Sequence, residues 1–335
     1  MRILVTGGAG YIGSFTVRAL QEAGHQVVVY DNLVYGHREA IDAELVVADL
    51  ADRQTLDRCL GGGSFDAIVH FAAFIEAGES MENAARFFHN NTANTIELLD
   101  AAVQHGVPQL VFSSTAAVYA DGVPVPIKES APTVPSNVYG ESKLLVERML
   151  PWYDRVHGLR SVSLRYFNAA GAALDGSMGQ DHQPPTHLIT VAIKAALRQQ
   201  DRFILFGDDY PTPDGTCIRD YIHVLDLASA HVVALAHLAA GGPSDIFNVG
   251  TGTGHSNREV VHAVQRISGV DFPVELGPRR PGDGAVLTAD ASRLRETVGW
   301  RPEQSDLDTI VASAWRWHRS HPHGYASREP VPEHA

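Results

Sequence analysis

The feature that most constrains the fold is a glycine-rich turn at residues 6–13, TGGAGYIG. It joins the β-branched run RILVT (2–6) to a helical pattern at 11–24. Spaced glycines let the chain turn tightly, let its backbone approach a pyrophosphate and let the helix pack on the strand. The free N–H groups at the start of such a helix favour phosphate. The turn therefore predicts a strand–turn–helix unit that binds a dinucleotide.

The alternation begun by this unit continues along the first half of the chain. Nearly continuous apolar runs, as in strands buried on both faces of a parallel sheet, occur at 2–6, 26–30, 44–48, 66–71, 109–113 and 161–166. Helical patterns lie between them at 11–24, 54–62, 93–106 and 139–153. Strands that alternate with helices predict an α/β fold, a Rossmann-type doubly wound parallel sheet.

After about residue 170 the sequence changes texture and predicts a second domain. Gly, Pro and polar residues, typical of long functional loops, dominate 171–186, 207–216 and 275–285. A segment near 222–250 instead predicts one more helix and strand of the main sheet. We expect a dinucleotide-binding domain formed by residues 1–170 together with about 220–250. We expect a smaller C-terminal α/β substrate domain formed by residues 171–219 together with 251–325.

Composition excludes several classes of function. A formal net charge of −13 disfavours nucleic acid as a partner. Two distant cysteines, Cys59 and Cys217, exclude a disulfide framework and a CxxC metal site, and none of the 17 histidines lies in an HExxH motif, so we expect no metal. The chain opens directly on MRILVTGG and has no apolar run of about 18 residues, so we expect no membrane association and a cytoplasmic protein.

The end of the second predicted strand indicates which dinucleotide is bound. Asp31 lies 18 residues after Gly13, close to the spacing of an acid that binds the ribose hydroxyls. A carboxylate at that place repels a 2′-phosphate, which favours NAD over NADP. Asp49, after the third strand, is placed to meet the adenine. Together the turn and strand ends predict cofactor contacts from Gly7, Gly10, Tyr11, Ile12, Gly13, Asp31, Asn32 and Asp49.

A tyrosine and a lysine one helical turn apart are the predicted catalytic pair. The chain has only three lysines, yet one follows Tyr139 by four positions, at Lys143. A phenol that accepts a proton near neutral pH needs nearby positive charge, such as this ammonium and an oxidised nicotinamide. A hydroxyl is expected from Thr115, at the carboxyl end of the fifth strand. The alternatives are an exposed tyrosine–lysine pair and a strand-end threonine cap.

Several motifs together resemble the extended short-chain dehydrogenase/reductase family. They are TGGAGYIG (6–13), HFAA (70–73), FSSTAAVYA (112–120), YGESK (139–143) and YFNAAGA (166–172). Residues 206–228 and 279–285 more specifically resemble the nucleotide-sugar 4-epimerases of that family. The similarity runs over about residues 1–320. At Ile75 this family often has lysine or a polar residue, and the next residue, Glu76, is an unexpected acid near an anion site.

This resemblance implies an NAD-dependent isomerase that interconverts UDP-galactose and UDP-glucose through a 4-keto intermediate, with transient hydride transfer to bound NAD. It implies that Tyr139 takes the proton of the sugar 4-hydroxyl and that Thr115, where the family usually has serine, bonds the same oxygen. It adds cofactor contacts from Leu50, Phe71, Ala72, Ala73, Asn90, Ser113, Tyr139, Lys143 and Phe167.

A nucleotide substrate needs an anchor, and Arg219 and Arg280 are the predicted partners of its phosphates, because guanidinium binds phosphate bidentately. By resemblance Asn168 meets the substrate phosphate, Asp283 the uridine ribose, and Leu287 sets the size of the sugar accepted. Resemblance also assigns substrate contacts to Thr186, His187 and Leu188, which pack on uracil, and to Phe206, Tyr210 and Tyr221.

Other functions stay open at this point. A nucleotide-sugar 4,6-dehydratase needs a general acid after the strand-end threonine, where this chain has Ala116 and Ala117. A reductase, a decarboxylase and a non-catalytic NAD-sensing protein are further alternatives. Apolar faces on the helices at 92–105 and 140–155, with the resemblance, predict a homodimer built on a four-helix bundle.

Overall fold

The structure, a computed structural model, describes residues 1–200, 202–280 and 283–325. Its strands are β1 Arg2–Thr6, β2 Gln26–Asp31, β3 Glu44–Val47, β4 Ala67–His70, β5 Gln109–Thr115, β6 Arg160–Tyr166, β7 Asn168–Ala170, β8 Phe203–Phe206, β9 Ile218–His223, β10 Asp245–Val249, β11 Gly254–Ser256, β12 Val274–Gly277 and β13 Val286–Leu287. Its helices are α1 Tyr11–Glu22, α2 Arg53–Gly61, α3 Ala77–Ser80, α4 Ala84–Phe87, α5 Asn94–Gln104, α6 Val138–His157, α7 Leu188–Ala196, α8 Val224–Ala239, α9 Asn257–Ser268, α10 Ser292–Val298 and α11 Leu307–Ser320.

The main sheet has seven strands in the order β10-β6-β5-β4-β1-β2-β3, and every pairing in it is parallel. Its chain order reverses between β1 and β4. Such a reversal opens a crevice at the carboxyl ends of the two strands, where ligands bind in open α/β sheets. The predicted doubly wound fold is confirmed, and β10 and α8 provide the further strand and helix predicted near 222–250.

Both faces of this sheet are buried, which explains why its strands are continuous apolar runs. Alternate residues of β1 point to opposite faces. Ile3 and Val5 pack in a cluster with residues of α1 and α8, and Leu4 packs in another with residues of α2, α5 and α6. The two helical layers therefore hold the sheet rigidly, and with it the strand ends that carry polar residues.

Smaller sheets and a third apolar cluster follow. Strand β9 pairs with β7, β11 and β13, and β8 pairs with β12. Helices α7, α9 and α11 bury apolar faces together with β8 and β9. Across the described residues, no helix combines the length and the apolar character needed to cross a membrane.

Candidate active site

A cavity lies at the reversal point of the main sheet, along the carboxyl ends of β1, β2, β4 and β5. We call it the first cavity. It is lined by almost every residue predicted to contact the cofactor: Gly7, Gly10, Tyr11, Ile12, Gly13, Asp31, Asn32, Asp49, Leu50, Phe71, Ala72, Ala73, Asn90, Ser113, Tyr139 and Phe167. Lys143 alone of that predicted set lies behind the cavity wall. Residues separated by as much as 180 positions in sequence, Gly7 and His187, thus share one cavity.

The glycine turn forms the floor of the first cavity and leaves no room for side chains. Gly7 has φ +71°, and a Cβ there would lie 2.4 Å from the backbone nitrogen of Ala72. A Cβ on Gly13 would lie 2.2 Å from the carbonyl oxygen of Gly7. Helix α1 starts directly after this turn and has no acidic residue in its first turn. The residues present therefore fit a bound pyrophosphate.

Asp31 is held against the glycine turn at the end of β2. Its carboxylate accepts hydrogen bonds from the backbone N–H groups of Ala9 at 2.9 Å and Leu33 at 2.8 Å. Burial raises the pKa of Asp31, although these two donors oppose that rise. Next to it, Asn32 donates to the Asp49 carboxylate at 2.6 Å. The acid predicted to bind ribose hydroxyls is thus already oriented by the backbone.

The start of α6 brings the Tyr139 phenol to the carboxyl end of β5. The Asn137 side chain caps the helix by accepting from the Gly140 N–H at 2.8 Å. A Cβ on Gly140 would lie 2.3 Å from the carbonyl oxygen of Ala117, so only glycine allows this close approach. Tyr139 and Thr115 consequently line the same cavity, as the sequence predicted.

The protein environment of Tyr139 favours the protonated phenol. Burial raises the pKa of Tyr139 well above its ordinary value, and the charges of Tyr166 and Glu76 add to the rise. Hydrogen bonding to Thr115 lowers this pKa only in part. A phenolate at this place requires further positive charge in the cavity.

Lys143 lies one helical turn beyond Tyr139 and is 2 % exposed. Its ammonium donates to the carbonyl oxygen of Ser113 at 3.0 Å and lies 4.9 Å from the centre of the Phe112 ring. Burial lowers the pKa of Lys143 to about 7. The lysine is therefore anchored to β5 beneath the cavity, and its charge is aimed at the backbone of that strand.

A second cavity adjoins the first and shares Asn168, Ala169, Gln180 and His187 with it. It is lined by most residues predicted to bind substrate, namely Asn168, Thr186, His187, Leu188, Phe206, Arg219, Tyr221, Arg280 and Asp283. Within the described ranges, no cluster of His, Cys, Asp or Glu side chains is arranged to hold a metal ion. The two cavities are therefore neighbours that share part of their lining.

The charged groups of the second cavity are preorganised. Arg219 is 9 % exposed, and it pairs with Asp283 at 3.2 Å and donates to the Gly284 carbonyl oxygen at 2.8 Å. The Arg280 guanidinium lies 4.2 Å from the centre of the Phe206 ring. Residues 281 and 282, within the loop that resembles the epimerases, lie outside the described residues.

The boundary between the cavities carries a neutral histidine. His187 accepts a hydrogen bond at Nδ1 from the Gln180 side-chain amide, at 2.8 Å. Burial lowers the pKa of His187 to about 4, with the charge of His182 adding to this effect and that of Glu76 opposing it. An uncharged imidazole suits packing against a flat, neutral ring.

Two predicted substrate residues line neither cavity. Tyr210 is buried, with the Arg279 guanidinium 4.2 Å from the centre of its ring. Leu287 is half-buried, packs against the apolar cluster that includes Tyr119, and pairs in register with Arg219. Leu287 is therefore the neighbour of a residue that lines the second cavity.

The first cavity is also lined by residues that sequence reasoning missed. They include Tyr35, Tyr166, Gln180, Asp181 and His182, together with Glu76, whose role the sequence left without an explanation. His182 and Glu76 form an ion pair at 2.8 Å. Nothing in the sequence links two residues that far apart, so this contact needed the structure.

A glycine cradle at the reversal of a parallel sheet, next to a tyrosine and lysine one helical turn apart, defines a Rossmann-fold enzyme of the extended short-chain dehydrogenase/reductase type. The sequence profile of the NAD dependent epimerase/dehydratase family matches residues 3–250. The chain belongs to this family.

Curated relatives and solved structures narrow the comparison. The chain is 51% identical over 321 residues to a UDP-glucose 4-epimerase of Azospirillum brasilense, covering 95% of this chain and 92% of the relative. It is 48% identical over 330 residues to that of Lacticaseibacillus casei, covering 98% and 100%. The crystal structure of the Brucella ovis UDP-glucose 4-epimerase in complex with NAD superposes with a TM-score of 0.92 at 44% identity, covering 94% and 98%.

Proposed function

We propose that the protein interconverts UDP-galactose and UDP-glucose by inverting carbon 4 of the hexose, with NAD as its cofactor. One observation carries this proposal. The Tyr139 phenol and the Thr115 hydroxyl line a cavity built on the dinucleotide cradle, and that cavity adjoins a second one whose lining includes Arg219 and Arg280. A nucleotide sugar that spans both places its hexose beside the phenol.

Bound NAD supplies the oxidant for carbon 4 and then the reductant that restores it with inverted configuration, through a 4-keto sugar. In the proposed mechanism Tyr139 accepts the proton of the 4-hydroxyl and later returns it. Thr115 hydrogen-bonds the same oxygen and orients it. Lys143, fixed on the Ser113 carbonyl, would contribute positive charge beneath the first cavity.

The second cavity anchors the part of the substrate that does not react. Arg219 and Arg280 pair with the two phosphates, helped by Asn168, because guanidinium binds phosphate through two hydrogen bonds. His187 and its neighbours pack on uracil. Binding energy from this remote part holds the molecule while the keto sugar turns in the site. The nucleotide-sugar domain comprises residues 171–219 and 251–325 in this proposal.

Product analysis tests the proposed reaction. Purified protein is incubated with UDP-galactose without added NADH, and the sugar is analysed by NMR. Formation of UDP-glucose is the expected result. A 4-keto-6-deoxy sugar would instead identify a dehydratase, and tightly bound NAD without any turnover would identify an NAD-sensing protein.

We further propose a homodimer, with its activity in the cytoplasm, where nucleotide sugars and NAD are both found. The support for a dimer is an exposed apolar strip on α6. Trp152 and Val156 are 61% and 64% exposed, respectively. Helix α5 lies beside α6, and the Tyr153 hydroxyl donates to Asp100 across them at 2.6 Å. These two helices can form half of a four-helix bundle.

A further inference from the structure

Residues 180–182 run from the second cavity to the first: Gln180 lines both cavities, and Asp181 and His182 line the first. We call these three residues the crossing segment. His182 Nε2 donates to Glu76 Oε1 at 2.8 Å, and the two side chains are only 12% and 15% exposed. Glu76 stands at the start of α3, on the chain that follows β4. This ion pair therefore joins the crossing segment to the sheet side of the cofactor cavity.

A second set of contacts ties the crossing segment to the loop after β2. His37 Nε2 lies 2.8 Å from the Asp181 carbonyl oxygen and 3.5 Å from its carboxylate. The His182 ring lies against Tyr35, with 5.1 Å between ring centres. The crossing segment is thus held by two loops, one after β2 and one after β4, and the His37 N–H in turn donates to the Ala9 carbonyl oxygen of the glycine turn at 2.9 Å.

Without His182, the Glu76 carboxylate would be an unpaired negative charge in the lining of the first cavity. Burial raises the pKa of Glu76, but the hydrogen bonds from His182 and from the Ile75 N–H outweigh burial, so the net shift is downwards. Other titratable groups that sense this charge are Tyr139 and His187. An unpaired carboxylate here would face an anionic dinucleotide and repel it.

We propose that Glu76 and His182 are a positioning pair for the bound dinucleotide. They hold the crossing segment over the first cavity, and their separation limits how fast NAD leaves. The inference rests on the NAD site proposed above. Glu76, an acid whose role could not be predicted from the sequence, thus acts together with a histidine 106 positions later.

The rate of NAD release tests this role. Protein loaded with isotopically labelled NAD is mixed with excess unlabelled NAD, and the label retained is followed by rapid gel filtration. Glu76→Ala and His182→Ala should each release NAD about 10-fold faster than the parent protein. The double variant should release it no faster than the faster single variant, because the second change removes a partner already lost.

His105→Ala is the matched control, since His105 pairs with Asp57 at 3.0 Å between α5 and α2, away from the lining of the first cavity. Its release rate should equal that of the parent. Single variants within two-fold of the parent, or effects that multiply in the double variant, would overturn the proposal.

The thermal midpoints of the NAD-free proteins separate positioning from folding. Equal midpoints with faster release support the pair, whereas a fall in midpoint that accounts for the faster release overturns it. Turnover of UDP-galactose is measured on the same preparations. If NAD release shows the expected pattern in the single and double variants but no preparation epimerises UDP-galactose, the proposed reaction is rejected and the role of the Glu76–His182 pair is supported.

Discussion

The Tyr139 phenol carries the proposed chemistry, and its surroundings differ from the sequence-based expectation in one respect. The expected acidifying ammonium, that of Lys143, donates to the Ser113 carbonyl oxygen, and burial keeps the pKa of Tyr139 high. The oxidised cofactor must then contribute much of the positive charge that makes the phenol a base. Proton transfer and cofactor oxidation state are coupled in this arrangement.

Replacing Tyr139 with phenylalanine should lower kcat by about 10²- to 10⁴-fold, the usual contribution of a positioned acid–base group. NAD content should be unchanged, because the ring still packs in the cavity wall. Steady-state rates with UDP-galactose and the absorbance of bound NAD measure both. Tyr153→Phe, on the same helix but hydrogen-bonded to Asp100, serves as the control and should keep parental activity. Full activity in Tyr139→Phe would contradict the assignment.

Lys143 should make the free energy of unfolding rise as pH rises above about 7, because its pKa is lowered in the folded protein. Its folded pKa is about 7, against 10.5 for a free lysine, because of burial. Between these values the unfolded chain binds a proton that the native chain lacks, so stability rises with pH over this range. Below about pH 7 the native protein bears the full cost of a buried ammonium.

Lys143→Met removes that cost, so the NAD-free variant should be more stable than the parent at pH 6, by on the order of 2–5 kcal/mol. The difference should shrink as pH rises from about 7 towards 10.5. Urea unfolding at pH 6 and pH 9 measures it. A difference that is the same at both pH values would show that the lysine is not buried as described.

At the scale of elements, one buried ion pair fixes α6 against the sheet. Glu147 lies four residues beyond Lys143 and accepts from Arg165 Nε on β6 at 2.9 Å, with side-chain exposures of 2% and 5%. It also accepts from the Ser114 hydroxyl on β5. These contacts join α6 to β5 and β6, so they hold Tyr139, on α6, at a fixed separation from Thr115, at the end of β5.

Glu147→Ala should destabilise the protein by about 3–5 kcal/mol, since Arg165 would be left as an unpaired buried charge. Replacing both partners, with Glu147→Leu and Arg165→Met, should recover most of that loss. Chemical denaturation measures each free energy of unfolding. Asp308→Ala breaks a pair with Arg266 in which both side chains are more than half exposed, and should cost about 1 kcal/mol or less. Equal costs for Glu147→Ala and Asp308→Ala would contradict this view.

Local pattern was sufficient for the elements of the main sheet. The run at 2–6 is β1, Arg2–Thr6, and the helical pattern at 11–24 is α1, Tyr11–Glu22, because burial on both faces leaves a strong apolar signal. The short strands β7, β8 and β12 were not predicted. Their pairing partners are distant in sequence, and a strand of three or four residues has too little periodicity to be recognised.

In the candidate site, too, local sequence pattern predicted some residues and not others. The glycine turn and the strand ends led to the predictions of Gly7 and Asp31, and the spacing to Lys143 led to that of Tyr139; all three line the first cavity. The Glu76–His182 pair was beyond the sequence because it depends on how the loop after β6 folds back. Likewise, the packing of Leu287 against the apolar cluster that includes Tyr119 was not evident from the sequence.

For the whole molecule, the arrangement of two adjoining cavities explains how one chain can hold two large ligands. The sheet and its glycine turn form one wall, and the segments around β7, β9 and α7 form the other. Asn168 and His187 belong to both cavities, so the proposed substrate, anchored in the second, would reach towards the phenol in the first. The distance between the two walls would then decide whether the keto sugar of the proposed mechanism has room to rotate.

Assembly is the remaining property at this scale, and the exposed strip on α6 makes it testable. Burying Trp152 and Val156 against a second copy would remove two large apolar side chains from water. Light scattering at micromolar concentration should therefore give about twice the 36.2 kDa of one chain. Trp152→Glu combined with Val156→Glu should give the mass of one chain, because neither carboxylate tolerates burial in an apolar bundle.

Val47→Glu is the control for this last prediction, since Val47 is 51% exposed but lies on β3, the opposite edge of the main sheet from β10. It should keep the dimeric mass. A monomeric parent protein, or a double variant that stays dimeric, would rule out α6 as the interface. If the double variant is a monomer that still releases NAD at the parental rate, the cofactor cavity is complete within one chain.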